Sequence, residues 1–426
     1  MNMALSRKWL AGAALLLAVH GLMAQSLPTA RPEELGLSPE RLDRISAWMK
    51  GEIAAKRVPG AVIVIARNGK VGYYETFGLQ NPARPEPMNR DSIFRIYSMT
   101  KPLVTVAAMM MAEEGKLRLE SPVSAYIPSF ANVKVGVEKT DAAGVKTLEL
   151  VPARRPITVQ DLMRHTSGLT YGFFGDSLVK KAYLSAGIGA IEGGLTTAEF
   201  ADKLASVPLH YQPGSTWDYG YSTDVLGRVL EVVSGQSLHS LLRARLLDPL
   251  GMKDTSFYVT DAARQARIAE PLPDDRDLGV NFVMGDPRVV EKLESGGAGM
   301  VSTANDYARF LQMMLNGGVL DGKRYLSPKT IEYMTSDHLG AGVALTPLYL
   351  PGPGYGFGLG FAVRKVNGEA SYITPAGEYY WGGAGGTYFW VDPKTNMFVM
   401  LMMQSPKQRT PYRSVLRNMV YGAVEK

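Results

Sequence analysis

"FRIYSMTKPL", Phe94 to Leu103, joins a short β-rich run to an apolar segment that includes Met109-Met110-Met111. A serine and a lysine three residues apart stand at that junction. A helix begun near Ser98 brings Lys101 onto the same face one turn later, because positions three apart are neighbours on a helix surface. The segment from Leu103 to Ala112 is apolar on every side, so it reads as a central, buried helix. A lysine in its first turn meets low-dielectric packing, where burial weighs against the charged ammonium. The serine hydroxyl lies at the helix N-terminus, where unpaired N–H groups favour a developing oxyanion. A weak nucleophile is made useful in this way. Ser98 as a plain N-cap is the competing reading, and S-x-x-K recurs at Ser177 and Lys180, without the preceding strand or the buried helix.

Outward from the junction, both ends of the chain read as sheet. Ser38-Pro39 followed by Leu42, Ile45, Met49 and Ile53 predicts a capped amphipathic helix. Ala61 to Ala66 and Val71 to Phe77 predict a hairpin closed at Asn68-Gly69. At the far end, Phe357 to Val366, Ala370 to Ile373, Thr387 to Val391 and Met397 to Met403 read as strands, with turns at Asn367-Gly368 and Asp392-Pro393. A closing helix spans Pro411 to Val424. The middle reads as helix and loop, with helices over Thr158–Arg164, Thr197–Val207 and Asp224–Leu247. The expected fold class is therefore α/β (α+β): a central antiparallel sheet built from both termini, flanked by helices, with a large and mostly helical inserted region. The α/β part covers approximately 30–95 and 300–426, and the helical part 96–299.

The chain has 426 residues, 46% hydrophobic and 20% charged, enough for a large core. Arg7 and Lys8 before the apolar run Leu10–Met23, with Ala24 after it, read as a signal peptide over 1–24. An uncleaved membrane anchor is the competing reading, but the run is shorter than the roughly 20 apolar residues of a spanning helix. No later stretch is long and apolar enough to span a bilayer, so stable membrane insertion after removal is not expected. The protein is expected to be exported, periplasmic or secreted. Its net charge of +6 falls to +4 without the leader, and no dense Lys/Arg run offers a nucleic-acid stripe. It contains no Cys, and its five His have no zinc-site spacing, so neither thiol chemistry nor a metal or other cofactor is expected.

"FRIYSMTKP" resembles the nucleophile motif of the serine β-lactamase and penicillin-binding-protein superfamily. "LMRHTSGLTYG" at 162, "PGSTWDYGYSTDVLGRVLEVVSG" at 213, "GGAGMVSTANDYARFLQMMLNGG" at 296 and "WGGAGGTYFWVDP" at 381 extend the resemblance over most of the chain. Within the superfamily it is most like the family VIII carboxylesterases, relatives of class C β-lactamases. The resemblance implies a β-lactamase/transpeptidase-like fold and a catalytic set of Ser98, Lys101 and a tyrosine. Tyr219 follows Trp217 by two and precedes Gly227 by eight, as the esterase pattern asks. Tyr221 remains the alternative. If Tyr219 is catalytic, Tyr221 stands where the β-lactamases have an Asn. The superfamily's K-T-G becomes Trp381-Gly382-Gly383, so the cation that would meet a substrate carboxylate is gone. An indole suits a neutral acyl or alcohol group better.

The resemblance further implies an oxyanion hole from the Ser98 and Ala384 N–H groups. Trp381, Gly382, Gly383, Trp217 and Tyr221 become substrate-binding candidates, with Tyr388 added to an aromatic cleft. His165 in "RHTSGL" reads as a turn-stabilising hydrogen-bonder. No G-x-S-x-G occurs, which removes the α/β-hydrolase nucleophile elbow. The expectation is a serine hydrolase of short-chain carboxylic esters with a small-molecule ester as its partner. The division of the base role between Tyr219 and Lys101, and the oligomeric state, stay open. A β-lactamase or D-alanyl-D-alanine carboxypeptidase is the alternative enzyme, and a non-hydrolysing sensor of wall peptides the alternative from another class.

Overall fold

The structure is a computed structural model that describes residues 26–189, 194–276 and 283–425; the expected signal segment 1–24 lies outside them. Helix α1 (Pro39–Ala54) starts with Ser38 extended at its N-cap and Pro39 in its first turn, although the Ser38 hydroxyl makes no capping bond. Strands β1 (Gly60–Arg67) and β2 (Lys70–Asn81) follow, then the two-residue β3 (Glu86–Pro87). After the nucleophile turn come α2 (Thr100–Glu113), α3 (Ser222–Ser234) and α4 (Ala304–Leu315). The chain closes with β4 (Tyr355–Phe357), β5 (Ala362–Arg364), β6 (Tyr379–Gly382), β7 (Tyr388–Asp392), β8 (Met397–Met403) and α5 (Arg409–Ala423).

These strands form one eight-stranded antiparallel sheet in the order β4-β5-β6-β7-β8-β1-β2-β3. The two ends of the chain therefore meet at its middle, in the register Ala61↔Met403 to Arg67↔Met397. The β1–β2 turn is closed by Asn68 (φ 54°) and Gly69 (φ 76°), the paired left-handed conformation that a two-residue hairpin requires. Helices α1 and α5 pack on one face, with Trp48 edge-on to Tyr412 at 4.9 Å. Helix α4 packs on the other, against β1 and β8. With both faces covered, β8 is buried throughout and β1 nearly so, which is why both read as unbroken apolar runs.

Four expectations need correction. Phe357–Val366 is not one strand: the chain doubles back at Gly358–Gly360, and β4 pairs with β5 through Phe357↔Ala362. Ala370–Ile373 is not a strand, since the Ile373 N–H donates to the Asn418 side chain at 2.8 Å and half of Ile373 is exposed. Its expected place beside β5 belongs to β6, in register Ala362↔Tyr380. The middle of the chain also contains a hairpin, Lys134–Thr140 with Lys146–Pro152. Its turn is held by Asp141 Oδ1, which accepts from Ala143 and Val145 N–H. Within Asp224–Leu247, helix α3 ends at Gly235 (φ 68°) and a new helix begins at Leu238.

Candidate active site

The site is assembled where the short strand Ile93–Arg95 runs into α2. That strand pairs with Val301–Thr303, and Met300 continues the contact by accepting from Ile96 N–H and donating to Thr100 Oγ1. Tyr97 then takes φ 42°, a left-handed conformation that costs a non-glycine residue roughly 1–2 kcal/mol. The turn sets Ser98 in a single 3₁₀ turn, Tyr97–Met99, ahead of α2. Every residue of α2 from Thr100 to Met111 is buried. Lys101 is thus carried into the interior at 1% exposure, while Ser98 stays partly open.

The Lys101 ammonium has three oxygen acceptors: Gly297 C=O at 2.7 Å, the Tyr171 hydroxyl at 3.2 Å and Ser98 Oγ at 3.3 Å. It also lies over the Tyr219 ring, 4.6 Å from its centre. The Tyr219 hydroxyl accepts from Trp381 Nε1 at 3.3 Å, which ties the Tyr219 loop to β6. Burial holds the Tyr171 hydroxyl well above the ordinary phenol value, and neighbouring Tyr219, Asp224 and Tyr221 add to the shift. Tyr171 is therefore a neutral phenol at physiological pH. Asp224, in the first turn of α3, accepts from Ser295 Oγ and from Gly297 N–H. Burial raises its carboxyl, against the opposing pull of Lys101 and those two hydrogen bonds.

The end of β6 closes the other side. A side chain at Gly383 would meet Thr387 Oγ1 at 2.3 Å and Ile96 C=O at 2.4 Å, so only glycine lets this strand press against the nucleophile turn. Ala384 follows immediately in the turn toward β7, between Gly383, which abuts Ile96, and Gly385, where a Cβ would meet the Tyr97 ring at 3.0 Å. The N–H groups of a helix's first turn have no partner within it.

Trp217 and Tyr221 sit one layer further back than expected. Trp217 is fully buried among His165, Tyr219, Tyr349 and Phe357, stacked 5.9 Å from Tyr219. Tyr221 packs on Tyr171, Phe200 and Tyr183, and its hydroxyl is buried. Both support the site tyrosines from behind. The Tyr388 hydroxyl accepts from Arg417 Nε of α5, which covers the sheet face opposite Trp381. Gly382 likewise turns toward α5, against Arg413. His165 Nδ1 has no hydrogen-bond partner among the described residues, while the residue's C=O accepts from Asp218 N–H at 2.9 Å. Its ring lies 4.8 Å from Tyr219, and burial, then Lys101, hold it well below the ordinary imidazole value.

Ser177 and Lys180 have a different use for the same spacing. Ser177 is the N-cap of the helix Leu178–Ser185, its hydroxyl accepting from the Lys180 N–H at 3.1 Å, while the Lys180 ammonium turns away to Phe174 C=O. Sequence reasoning missed Tyr171, Asp224 and Gly297. All three sit in quoted motif stretches, but nothing in a linear spacing says that residues 70 and 196 positions beyond Lys101 converge on its ammonium.

The sequence matches the Beta-lactamase family over residues 45–420. The chain belongs to the Beta-lactamase family. An uncharacterized protein of Mycobacterium tuberculosis is 35% identical to this Beta-lactamase-family chain over 371 residues, 85% of this chain and 90% of its own length. Esterase EstB of Burkholderia gladioli is 31% identical over 402 residues, covering 89% and 95%. Among solved structures, EstCE1, described as a hydrolase with promiscuous acyltransferase activity, superposes with a TM-score of 0.75 at 30% identity, covering 90% of this chain and 98% of its own. The β-lactamase/transpeptidase fold expected from the motifs is the one the family member adopts.

Proposed function

We propose that this chain is a serine carboxylesterase that cleaves short-chain carboxylic esters through an acyl-enzyme on Ser98. Ser98 Oγ attacks the ester carbonyl and its proton passes to the Lys101–Tyr219 pair. The oxyanion is received by the Ser98 and Ala384 N–H groups; preorganised donors of this kind are commonly worth about 3–4 kcal/mol each. Collapse expels the alcohol, which takes the proton, and water repeats the sequence to release the acid. The observation that carries the reading is the buried Lys101 ammonium, 3.3 Å from a partly open Ser98 Oγ. Similarity to EstB and EstCE1 supports ester substrates. Trp381 in place of a lysine favours a neutral leaving group or acyl chain over an anionic one. The basic, apolar leader at 1–24 supports export to the periplasm or medium.

Labelling with an alkyl fluorophosphonate, followed by peptide mass mapping, tests the nucleophile. The adduct is expected on Ser98, with p-nitrophenyl butyrate turned over far faster than a chromogenic cephalosporin. An adduct on Ser177, no adduct at all, or the reverse substrate order overturns the assignment.

A further inference from the structure

A buried carboxylate stands behind the Lys101 ammonium without touching Ser98. Asp224 Oδ1 accepts from Ser295 Oγ at 2.5 Å and from Gly297 N–H at 3.1 Å, and the carbonyl of the same Gly297 receives Lys101 Nζ at 2.7 Å. One residue thus links the carboxylate to the ammonium through its own N–H and C=O. The approach is close: a Cβ on Gly297 would lie 2.4 Å from Asp224 Oδ2. The rest of the 295–300 loop is fixed as well. The Ser295 hydroxyl accepts from Ala298 N–H, and Met300 is held by Thr100 of α2. The Gly297 carbonyl is thus carried on a loop tied to Asp224 at one point and to α2 at another.

We propose that Asp224 is a positioning residue for the activation of Ser98: through Gly297 it fixes the carbonyl that seats Lys101, and it is the carboxylate that faces the ammonium. The inference rests on Ser98 and Lys101 being the reacting pair. The groups that face Lys101 are Ser98 on its own turn, the Tyr171 hydroxyl, the Tyr219 ring, Asp224 and His165, which is buried and neutral. Asp224 is the one carboxylate in that set. Loss of a proton takes the lysine–tyrosine pair from positive to neutral, whichever of the two gives it up. A neighbouring carboxylate opposes that loss, and its removal lets the proton leave at lower pH.

The test is the rate of fluorophosphonate labelling of Ser98 as a function of pH, which reads nucleophile activation independently of any substrate. Asp224→Asn keeps an acceptor oxygen for Gly297 and Ser295 but removes the charge. Its acid limb is expected to move down by about one pH unit, with the plateau rate within a few-fold of wild type. Gly297→Ala sets its Cβ against Asp224 Oδ2 and so disturbs the whole link from the carboxylate to the carbonyl. Its plateau is expected to fall about 10- to 100-fold, the range seen when an orienting partner is disturbed. Coincident profiles for wild type and Asp224→Asn, or a wild-type plateau in Gly297→Ala, overturn the proposal. Normal labelling and the expected shifts without turnover of any ester would refute the esterase reading and leave the role of Asp224 standing. No labelling of Ser98 at any pH overturns both.

Discussion

Replacing Tyr171 by Phe removes one oxygen from the site and almost nothing else. The ring is held on all sides, by Phe173 at 4.8 Å, Tyr221 at 4.5 Å and Tyr219 at 5.4 Å, so packing persists. The missing oxygen is one of three acceptors of the Lys101 ammonium, and a hydrogen bond to a charged group is worth about 1.5–3 kcal/mol. At about 1.4 kcal/mol per factor of ten, kcat for p-nitrophenyl butyrate should fall about 10- to 100-fold with KM little changed. Tyr219→Phe should cost at least tenfold more. It removes the proposed proton carrier, a contribution of about 10²–10⁴, and also the acceptor of the Trp381 indole. The two variants are compared in steady-state kinetics at matched thermal stability. If Tyr171→Phe is the more damaging, Tyr171 is the proton carrier, and the neutral positioning role argued from its burial is refuted.

Ser177→Ala should leave Ser98 labelling and ester turnover at the wild-type level, while denaturant unfolding shows a loss of about 1 kcal/mol from the missing cap. Asp161 gives a pH prediction. Burial alone would raise its carboxyl, but Arg155, the Thr158 N–H and Thr166 together bring it down to about 2. A folded value below the unfolded one means that its stabilisation is fully present above about pH 4 and is lost as pH falls toward 2. The amount at neutral pH is about 2–3 kcal/mol, and Asp161→Asn should flatten that part of an acid-unfolding curve; an unchanged curve would show that the network contributes nothing net.

Local chemistry made some elements readable. Asn68-Gly69 demands two left-handed residues, and the structure has them. The apolar β1, β8 and α2 were legible because each is covered on all sides, so hydrophobicity and burial coincide. Elsewhere the same signal misled. The apolar run at Phe357–Val366 hid a reversal, because Leu359 and Gly360 spend their N–H groups on Met334 and Met163 rather than on a strand partner. Ala370–Ile373 has strand-like residues but no ladder, its Ile373 N–H being taken by a helix side chain. The hairpin at 134–152 has alternating Val135, Val137, Leu148 and Leu150 with Asp141 and Gly144 at the turn, a strand pattern set inside a mostly helical region. At the site, Ser98 and Lys101 were visible because they are local to one turn. Tyr171, Asp224 and Gly297 were not, because only tertiary packing brings them to the lysine.

The pairing of β1 with β8 also dictates when the molecule can come together. Its central hydrogen-bonded ladder joins residues more than 300 positions apart, so a chain still leaving the ribosome lacks the neighbour that its first long strand needs. Such non-local closure makes folding slow and late. A nascent chain stopped short of Met397 should stay protease-sensitive and unable to complete its sheet.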